Sequence, residues 1–407
     1  MATSIPTTCE VVNDNFIRES GRLAEPVYRR AISQDPIVGL MARTRGAWMN
    51  GMGTSVGAVT FERAFPASSG DTWANVGASD GADANACLPT VENIEFGQTS
   101  RTYQPRHKAF ESPDFCIRDV VTGFAYADML RNVTRVLGDI AAWEWGNHYT
   151  NDYFRLAGHK LTVNNPAGIQ DSTSAYSTAN PATGKLTQGI LDDIYTDLQR
   201  EGASNPYGWD ESTDAPVFTA LISKETEQRL LRDNPNIRDD IRYAYMGKGE
   251  ESPLIRRMQG GKPRVYGGFV YKIKPFPRRF ILSGGAYVQI EPFISSATTK
   301  GIKWERNPAY KVAPYEETII WHEENYQSLA VNNVTNPAPG WSFDPVNYMG
   351  DFRWVNEYDR TCNPDNTIGF WRSVMADAAK PVNPQVGYTV LHARCGIDLN
   401  ISSCYGS

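Results

Sequence analysis

The sequence predicts an α+β fold, and three observations predict it. Segments of helical periodicity and segments of period-two alternation are mixed along the chain without the strand–helix–strand rhythm of a parallel sheet. One helical run, 117–157, is uninterrupted by proline. No repeat at a period of about 20–50 residues is visible, which disfavours solenoids and propellers. The 407 residues are 41% hydrophobic and 21% charged, close to the globular average, so two or three compact units with real cores are expected. The 34 glycines and 25 prolines ask for many turns and extended connections.

Residues 1–58 read as an arm. A short helix is predicted from Pro26, with Val27 and Ala31 on one face and Asp35-Pro36 ending it; beyond it Gly46, Gly51, Gly53 and Gly57 interrupt any regular element. Residues 59–116 read as two strands around a long tip, because Val59 and Phe61 alternate with polar neighbours and Ile94 and Phe96 do so again after the tip. The glycine-rich stretch between them is either a plain surface loop or a projection that lies on a neighbouring subunit. A structureless loop of that length is uncommon without a task. Large aromatics are favoured in interfaces, which makes Phe65, Trp73, Phe96 and Tyr103 candidates for contact between subunits.

The helical run 117–157 carries Val120, Val121, Phe124, Leu130, Val133, Leu137, Ile140 and Ala141 at three- and four-residue steps, with Asp119 near its start. A helix of about 35 residues spans about 50 Å. Trp143 and Trp145 are placed to anchor its end. Residues 158–186 are polar and turn-rich, a plausible boundary. A second amphipathic helix follows over 187–201, capped by Thr187, with Ile190, Leu191, Ile194, Tyr195 and Leu198 on one face. Then come the buried strand PVFTALI, a helix capped by Ser223 that runs to about Asp233, and the segment NIRDDIRYA. A single strand is expected over 264–274, with Val265, Gly267, Phe269, Tyr271 and Ile273 on one side, and further strands at 287–294, 318–322, 352–358 and 386–401.

The search for chemistry is largely negative. A net charge of −6 argues against a dedicated nucleic-acid binder, though not against a container for DNA. Cys9, Cys87, Cys116, Cys362, Cys395 and Cys404 form no C-x-x-C pair, so a zinc site or disulfide framework is not expected, and free thiols in a reducing cytoplasm are the simpler reading. No stretch approaches 18 apolar residues and no signal-like segment opens the chain, so neither a membrane span nor secretion is expected, and the sequons at Asn132, Asn333 and Asn400 lose their meaning. Gly51-Met52-Gly53 with Gly57 misses the dinucleotide spacing, and no phosphate loop or nucleophile elbow occurs. His107, His148, His159, His322 and His392 show no helical zinc spacing; His322-Glu323-Glu324 reads as a strand end with solvated charges. The runs Asp192-Asp193, Asp239-Asp240, Glu250-Glu251 and Glu316-Glu317 read as solvated faces. Arg256-Arg257 and the stretch from Lys274 to Arg279 are the densest basic spots, the latter interleaved with Phe276 and Phe280. Basic-plus-aromatic patterning suits single-stranded nucleic acid, but it suits ion pairs and packing between subunits equally, and the acidic chain favours the second. Phe276, Arg278 and Arg279 therefore join the contact candidates. No catalytic, cofactor-binding or metal-ligating residue is assigned, and no enzyme is expected.

The order of elements resembles the major capsid proteins of tailed bacteriophages. ESPDFCIRDVVTGF, leading into the long helix, resembles entry to that family's spine helix. TQGILDDIYTDLQREG followed by APVFTALISKETEQRLLRD resembles the helix, strand and helix of its axial domain, and KPRVYGGFVYKIKPFPRRF the strand after it. YEETIIWHEENYQSLAV and the long phrase from DFRWVNEYDR to TVLHARC resemble the late strands that close both domains. The likeness covers about residues 110–400, and 158–186 reads as a local insertion. The resemblance implies an N-terminal arm (1–58), an extended hairpin loop (59–116), a peripheral domain with a spine helix (117–160 and 331–385) and an axial domain (161–330 and 386–407). It also implies self-assembly as hexamers and pentamers into an icosahedral shell around double-stranded DNA held without sequence-specific contacts, a place in the virion after assembly in the host cytoplasm, and no cofactor and no membrane. The implied partners are other copies of the chain, a portal protein, a decoration or cement protein in some members, and a separate scaffolding protein, because no scaffolding segment precedes the arm. No motif assigns a side-chain crosslink. Two alternatives remain at this stage: a non-viral encapsulin-like compartment of the same fold, and a carbohydrate-active enzyme suggested by the many Trp and Tyr.

Overall fold

The computed structural model describes residues 33–43, 49–50, 56–61, 98–111, 126–164, 168–179, 181–201, 208–210, 215–234, 264–298, 301–326, 328–332, 350–353, 370–378 and 383–394, together with Arg30 and Ala203. These form an α+β arrangement of two large mixed sheets, a separate two-stranded hairpin and one long helix.

Helical residues 33–34 give way at Asp35, where the sequence predicts a helix to end. A second helix, α1 (Pro36–Arg43), begins at once, against the expectation that nothing regular follows. The same dipeptide serves both ends: proline disfavours helix in the residue before it but is preorganised for the first helical position. Asp35 caps α1, accepting from the Ile37 N–H through Oδ1 (3.1 Å) and from the Val38 N–H through its carbonyl (3.2 Å). Ile37, Val38, Leu40 and Met41 are buried. The predicted start at Pro26 lies outside the described residues. The glycine-punctuated stretch after α1 also contributes short strands, β1 (Met49–Asn50) and the first residues of β2 (Val56–Phe61).

The long helix α2 (Tyr126–Leu156) has 31 residues, about 46 Å at 1.5 Å per residue. Residues 117–125 of the predicted run lie outside the described ones. Its buried stripe is Ala142, Trp145, Tyr149, Tyr153 and Leu156, at the three- and four-residue steps that place side chains on one face. Trp145 is the buried anchor that the sequence suggests, while Trp143 is half-buried. Gly146 lets α1 approach α2 closely, since a Cβ there would run into the Asp35 carboxylate.

The ten-stranded sheet runs in the order β5 (Gly168–Gln170), β4 (His159–Asn164), β18 (Tyr388–Ala393), β14 (Tyr315–Trp321), β7 (Ala215–Ile222), β9 (Phe269–Ile273) and β8 (Arg264–Tyr266). β6 (Gly208–Asp210) is added on β7, β10 (Arg279–Ser283) on β14, and β11 (Ala286–Ile290) on β10. β18–β4 and β7–β9 are parallel and the other pairs antiparallel. α3 (Gln188–Arg200) presses Leu191, Ile194 and Leu198 onto one face, against Phe218, Ala220, Phe269, Ile320 and Val390. α4 (Lys224–Asp233) adds Leu230 to the same cluster and is capped as predicted, the Ser223 hydroxyl accepting from the Thr226 N–H at 3.0 Å. The opposite face carries Leu391, Tyr176 and Phe280, with Phe154 of α2 packed beside them. Successive strand residues point to opposite faces, so Val390 and Leu391 report the two sides.

Two predicted strands are corrected. The 264–274 stretch is a hairpin: Gly267 and Gly268 have φ of 57° and 75° and turn β8 back as β9, the positive-φ pair of a two-residue hairpin turn. The 287–294 strand is broken at Glu291-Pro292, because proline donates no ladder hydrogen bond. Its two halves belong to the β10–β11 hairpin and to the separate hairpin β12 (Phe293–Thr298) and β13 (Gly301–Arg306). The short helix α5 (Pro308–Val312) follows. β14 matches the strand expected at 318–322, and β18 takes the early part of 386–401 after a 3-10 turn at Pro384–Val386.

The second sheet has the order β1, β15 (Ser328–Asn332), β17 (Phe370–Ala378), β3 (Gln98–Glu111) and β2, with β16 (Gly350–Arg353) also on β17. Val59 and Phe61, which predict the first strand beside the long tip, lie in β2, antiparallel to β3 from Val56 opposite Tyr103 to Phe61 opposite Gln98; Ile94 and Phe96, which predict the second, lie outside the described residues. β3 continues along β17 from Tyr103 opposite Ala378 to Glu111 opposite Phe370. This sheet thus joins strands from residue 49 to residue 378. Residues 62–97, 354–369 and 395–407 lie outside the described ones.

Candidate assembly surfaces and the charge network behind them

Glu316 and Glu317 open β14, and pleating sends their side chains to opposite faces of the sheet. Both are buried, which corrects the reading of this pair as a solvated run. β14 lies between β18 and β7 with layers on both sides, so these carboxylates could be retained only with partners. Glu316 accepts from Arg279 Nε at 3.1 Å and from Thr226 Oγ1 at 2.8 Å, and Arg394 lies 3.7 Å away. Burial pushes its carboxyl pKa up, but Arg279, His392, the Ser223 hydroxyl and Arg394 together hold it below the usual carboxylate range. Glu317 pairs with Arg278 at 3.4 Å and accepts from the Tyr176 hydroxyl at 2.5 Å. There burial prevails, and the carboxyl sits above its ordinary value despite Arg278 and Tyr176.

Arg278 and Arg279, nominated as contacts between subunits, are the counterparts of these two carboxylates. Their side chains are 9% and 8% exposed. Arg278 lies over the rings of Phe154 (4.5 Å) and Phe280 (5.0 Å) and donates to Gln289 at 2.9 Å. Arg279 lies over Tyr310 (4.5 Å), donates to the Tyr310 carbonyl (3.2 Å) and reaches Glu225 at 3.3 Å. Both guanidinium groups are therefore engaged within the subunit. Phe276 is half-buried and meets Trp143 and Phe293 edge-on, with centroids 5.9 and 5.1 Å away. Tyr103 stands where β3 passes from β2 to β17. Phe65, Trp73 and Phe96 lie outside the described residues.

This network braces a projecting stretch. β10–β11 touches the large sheet at two register positions, Arg279–Glu316 and Phe280–Tyr315, and β12–β13 is held at its base by Phe293 against Trp143 and Phe276. Among the described residues β11, β12 and β13 have no further strand partner. Four of the six large hydrophobic residues exposed among the described ones fall here: Leu282 (36%), Val288 (45%), Ile294 (46%) and Val312 (53%). Three of these lie on the hairpins and Val312 on the following helix α5; apolar side chains concentrated on open hairpins mark an interaction surface. In the sequence this stretch reads as one strand over 287–294, which hides both hairpins; the signal available was Gly284-Gly285 flanked by apolar residues.

Other nominated groups are placed as follows. Asp192 and Asp193 are exposed on α3, as expected, whereas Asp239-Asp240 and Glu250-Glu251 lie outside the described residues. His322 is fully buried at the end of β14, where its backbone N–H donates to the Tyr153 hydroxyl at 3.0 Å, so the strand end is as predicted but the histidine is not solvated. Among the described residues, no group of three or more His, Cys, Asp or Glu side chains is arranged to hold a metal ion, and no helix is long and apolar enough to cross a membrane.

No known family model matches the chain, and none of the curated proteins matches it. Solved structures do. The capsid asymmetric unit of cyanophage Pam1 aligns over 84% of this chain and 85% of its own at 12% identity and a TM-score of 0.38. The capsid of cyanophage P-SCSP1u aligns over 86% and 87% at 9% identity and 0.40. A virus-like particle from Pyrococcus furiosus aligns over 91% and 97% at 9% identity and 0.37. At these scores the superpositions decide neither fold nor function, which rest on the chain's own elements.

Proposed function

We propose that this chain is the major capsid protein of a tailed bacteriophage, assembling as hexamers and pentamers into an icosahedral shell that encloses double-stranded DNA. One observation carries the reading: the order and joining of the elements. An arm strand, the strand pair on either side of residues 62–97 and the late strands share one sheet; in chain order a 31-residue helix follows, and then a second sheet built from residues 159–321 and 388–393. That is the sequence of parts implied by the family resemblance. In this reading residues 1–58 are the arm, 59–116 the extended loop, 117–160 and 331–385 the peripheral domain, and 161–330 and 386–407 the axial domain. The shell's strength comes from apolar area buried between copies, at about 25 cal/mol per Å², less the cost of ordering. No chemical step is needed, and the role is structural. A separate scaffolding protein, a portal and, where present, a decoration protein complete the assembly, which takes place in the host cytoplasm.

The test is electron microscopy of the purified full-length chain, alone and with its scaffolding protein. Uniform icosahedral particles or capsomers are expected. A persistent monomer under both conditions would overturn the reading.

A further inference from the structure

His392 is the most constrained group that the shell reading leaves unused. It stands near the end of β18 and is fully buried. Its Nδ1 lies 3.3 Å from an Nη of Arg229 on α4. A guanidinium offers only donors, so in the tautomer that pairs with Arg229 this nitrogen carries the lone pair; the proton then sits on Nε2, 3.0 Å from Thr318 Oγ1, which accepts it. The other Nη of Arg229 donates to the Ala393 carbonyl at 3.0 Å. Arg229 thus ties α4 to β18 through two acceptors, one of them a neutral imidazole.

The surroundings are charged on every side. Arg279 from β10 and Arg394 after β18 face Glu316 on β14 and Glu225 on α4, with the Tyr310 phenol of α5 close to Arg279 and Arg229 from α4 against the ring itself. Burial, Arg229 and Arg394 disfavour a charged ring here, while Glu316 pulls the other way.

We propose that His392 is an acid-operated catch for α4: a proton arriving on Nδ1 removes the acceptor, sets an imidazolium against the Arg229 guanidinium, and releases the helix from β18. Among the described groups, the new N–H would meet the Ala393 carbonyl, 3.3 Å away, and share it with the Arg229 guanidinium it now repels. Burial, and then Arg229, hold the His392 pKa down to about 4. In an opened state the imidazole takes its proton near the ordinary 6.5. Opening therefore binds a proton between these two values. The closed form is favoured above about pH 6.5 and loses ground as pH falls toward 4. α3 packs on the same face through Leu191, Ile194 and Leu198 and serves as an internal control. The catch stands whether or not the chain builds a shell.

Hydrogen exchange of the full-length chain, read by mass spectrometry as protection factors at pH 7 and pH 5, tests this. Protection across α4 should fall about 25-fold between the two pH values, the linkage expected for one proton with a pKa moving from 6.5 to about 4. Protection across α3 should hold. In His392→Gln, whose amide can accept from Arg229 and donate to Thr318 without titrating, α4 should show no such fall. An unchanged α4 in the wild type, an equal fall in the variant, or a parallel fall in α3 would each overturn the proposal. Should the variant not fold, the His392 ring carbon resonance of the selectively labelled wild type decides: it should report a neutral ring at pH 5, and a ring titrating near 6.5 in the closed protein sinks the idea.

Discussion

Two adjacent glutamates show how little a residue's charge says about its surroundings. Glu316 and Glu317 are both buried, yet one carboxyl lies below and the other above its ordinary pKa, because pleating hands them to different neighbours. The prediction at this scale is an asymmetry of truncation. Arg279→Ala leaves Glu316 buried with its nearest cation gone and should lose about 3–5 kcal/mol in urea unfolding. Glu225→Ala removes a half-exposed carboxylate from the same network and should cost about 1 kcal/mol or less. Equal losses would mean that the buried pairing has been misread. Glycine supplies a second contrast. Gly268 and Gly284 both have positive φ, 75° and 59°. A Cβ at Gly268 would strike the Tyr195 ring, whereas nothing lies near Gly284. Gly284→Ala should cost about 1–2 kcal/mol for the backbone alone, and Gly268→Ala distinctly more, measured by thermal unfolding.

At the scale of elements, one side chain of the long helix bridges two backbone groups at the end of β14. The Tyr153 hydroxyl donates to the Ile320 carbonyl at 2.5 Å and accepts from the His322 N–H at 3.0 Å. Burial drives its ionisation far above the ordinary range, so it remains a donor at every working pH. Tyr153→Phe leaves both backbone groups unpaired and should destabilise by about 1–3 kcal/mol, read by denaturant midpoint. The hairpins give the complementary prediction. Val288→Lys, on the exposed side of β11, should stay within about 0.5 kcal/mol of the parent in unfolding, while particle yield in the assembly assay drops. Unaltered yield would remove β11 from the interaction surface.

Much of this level was legible beforehand. The cap at Ser223, the apolar face of α3 and the long helix follow from local pattern, since periodicity and capping act within one turn. The β8–β9 hairpin was misread because Gly267 keeps the alternation of a single strand; a pair of positive-φ glycines is what reverses the chain. Of the nominated contact residues, Phe276 packs on Trp143 and Phe293, while Arg278 and Arg279 turn to opposite faces of their own sheet. Sequence could not show this, as their carboxylate partners lie nearly forty residues away and read as solvent-facing.

For the whole molecule, the proposal places function in extended surfaces. Deleting residues 66–90, the tip between β2 and β3, should leave a subunit with an unchanged unfolding transition and abolish closed particles in electron microscopy; normal particles would show that the tip is dispensable. By itself the sequence determined the α+β class, the long helix, the apolar face of α3 and the strand at Val59–Phe61, because these depend on local periodicity and capping. Only the tertiary structure decided which charges are buried. It brought β10, β14, β18 and α4 together and turned an apparent surface run of glutamates into the hub of a network. Burial of a charge is settled by which distant cation and which sheet layer reach it, and no local pattern carries that.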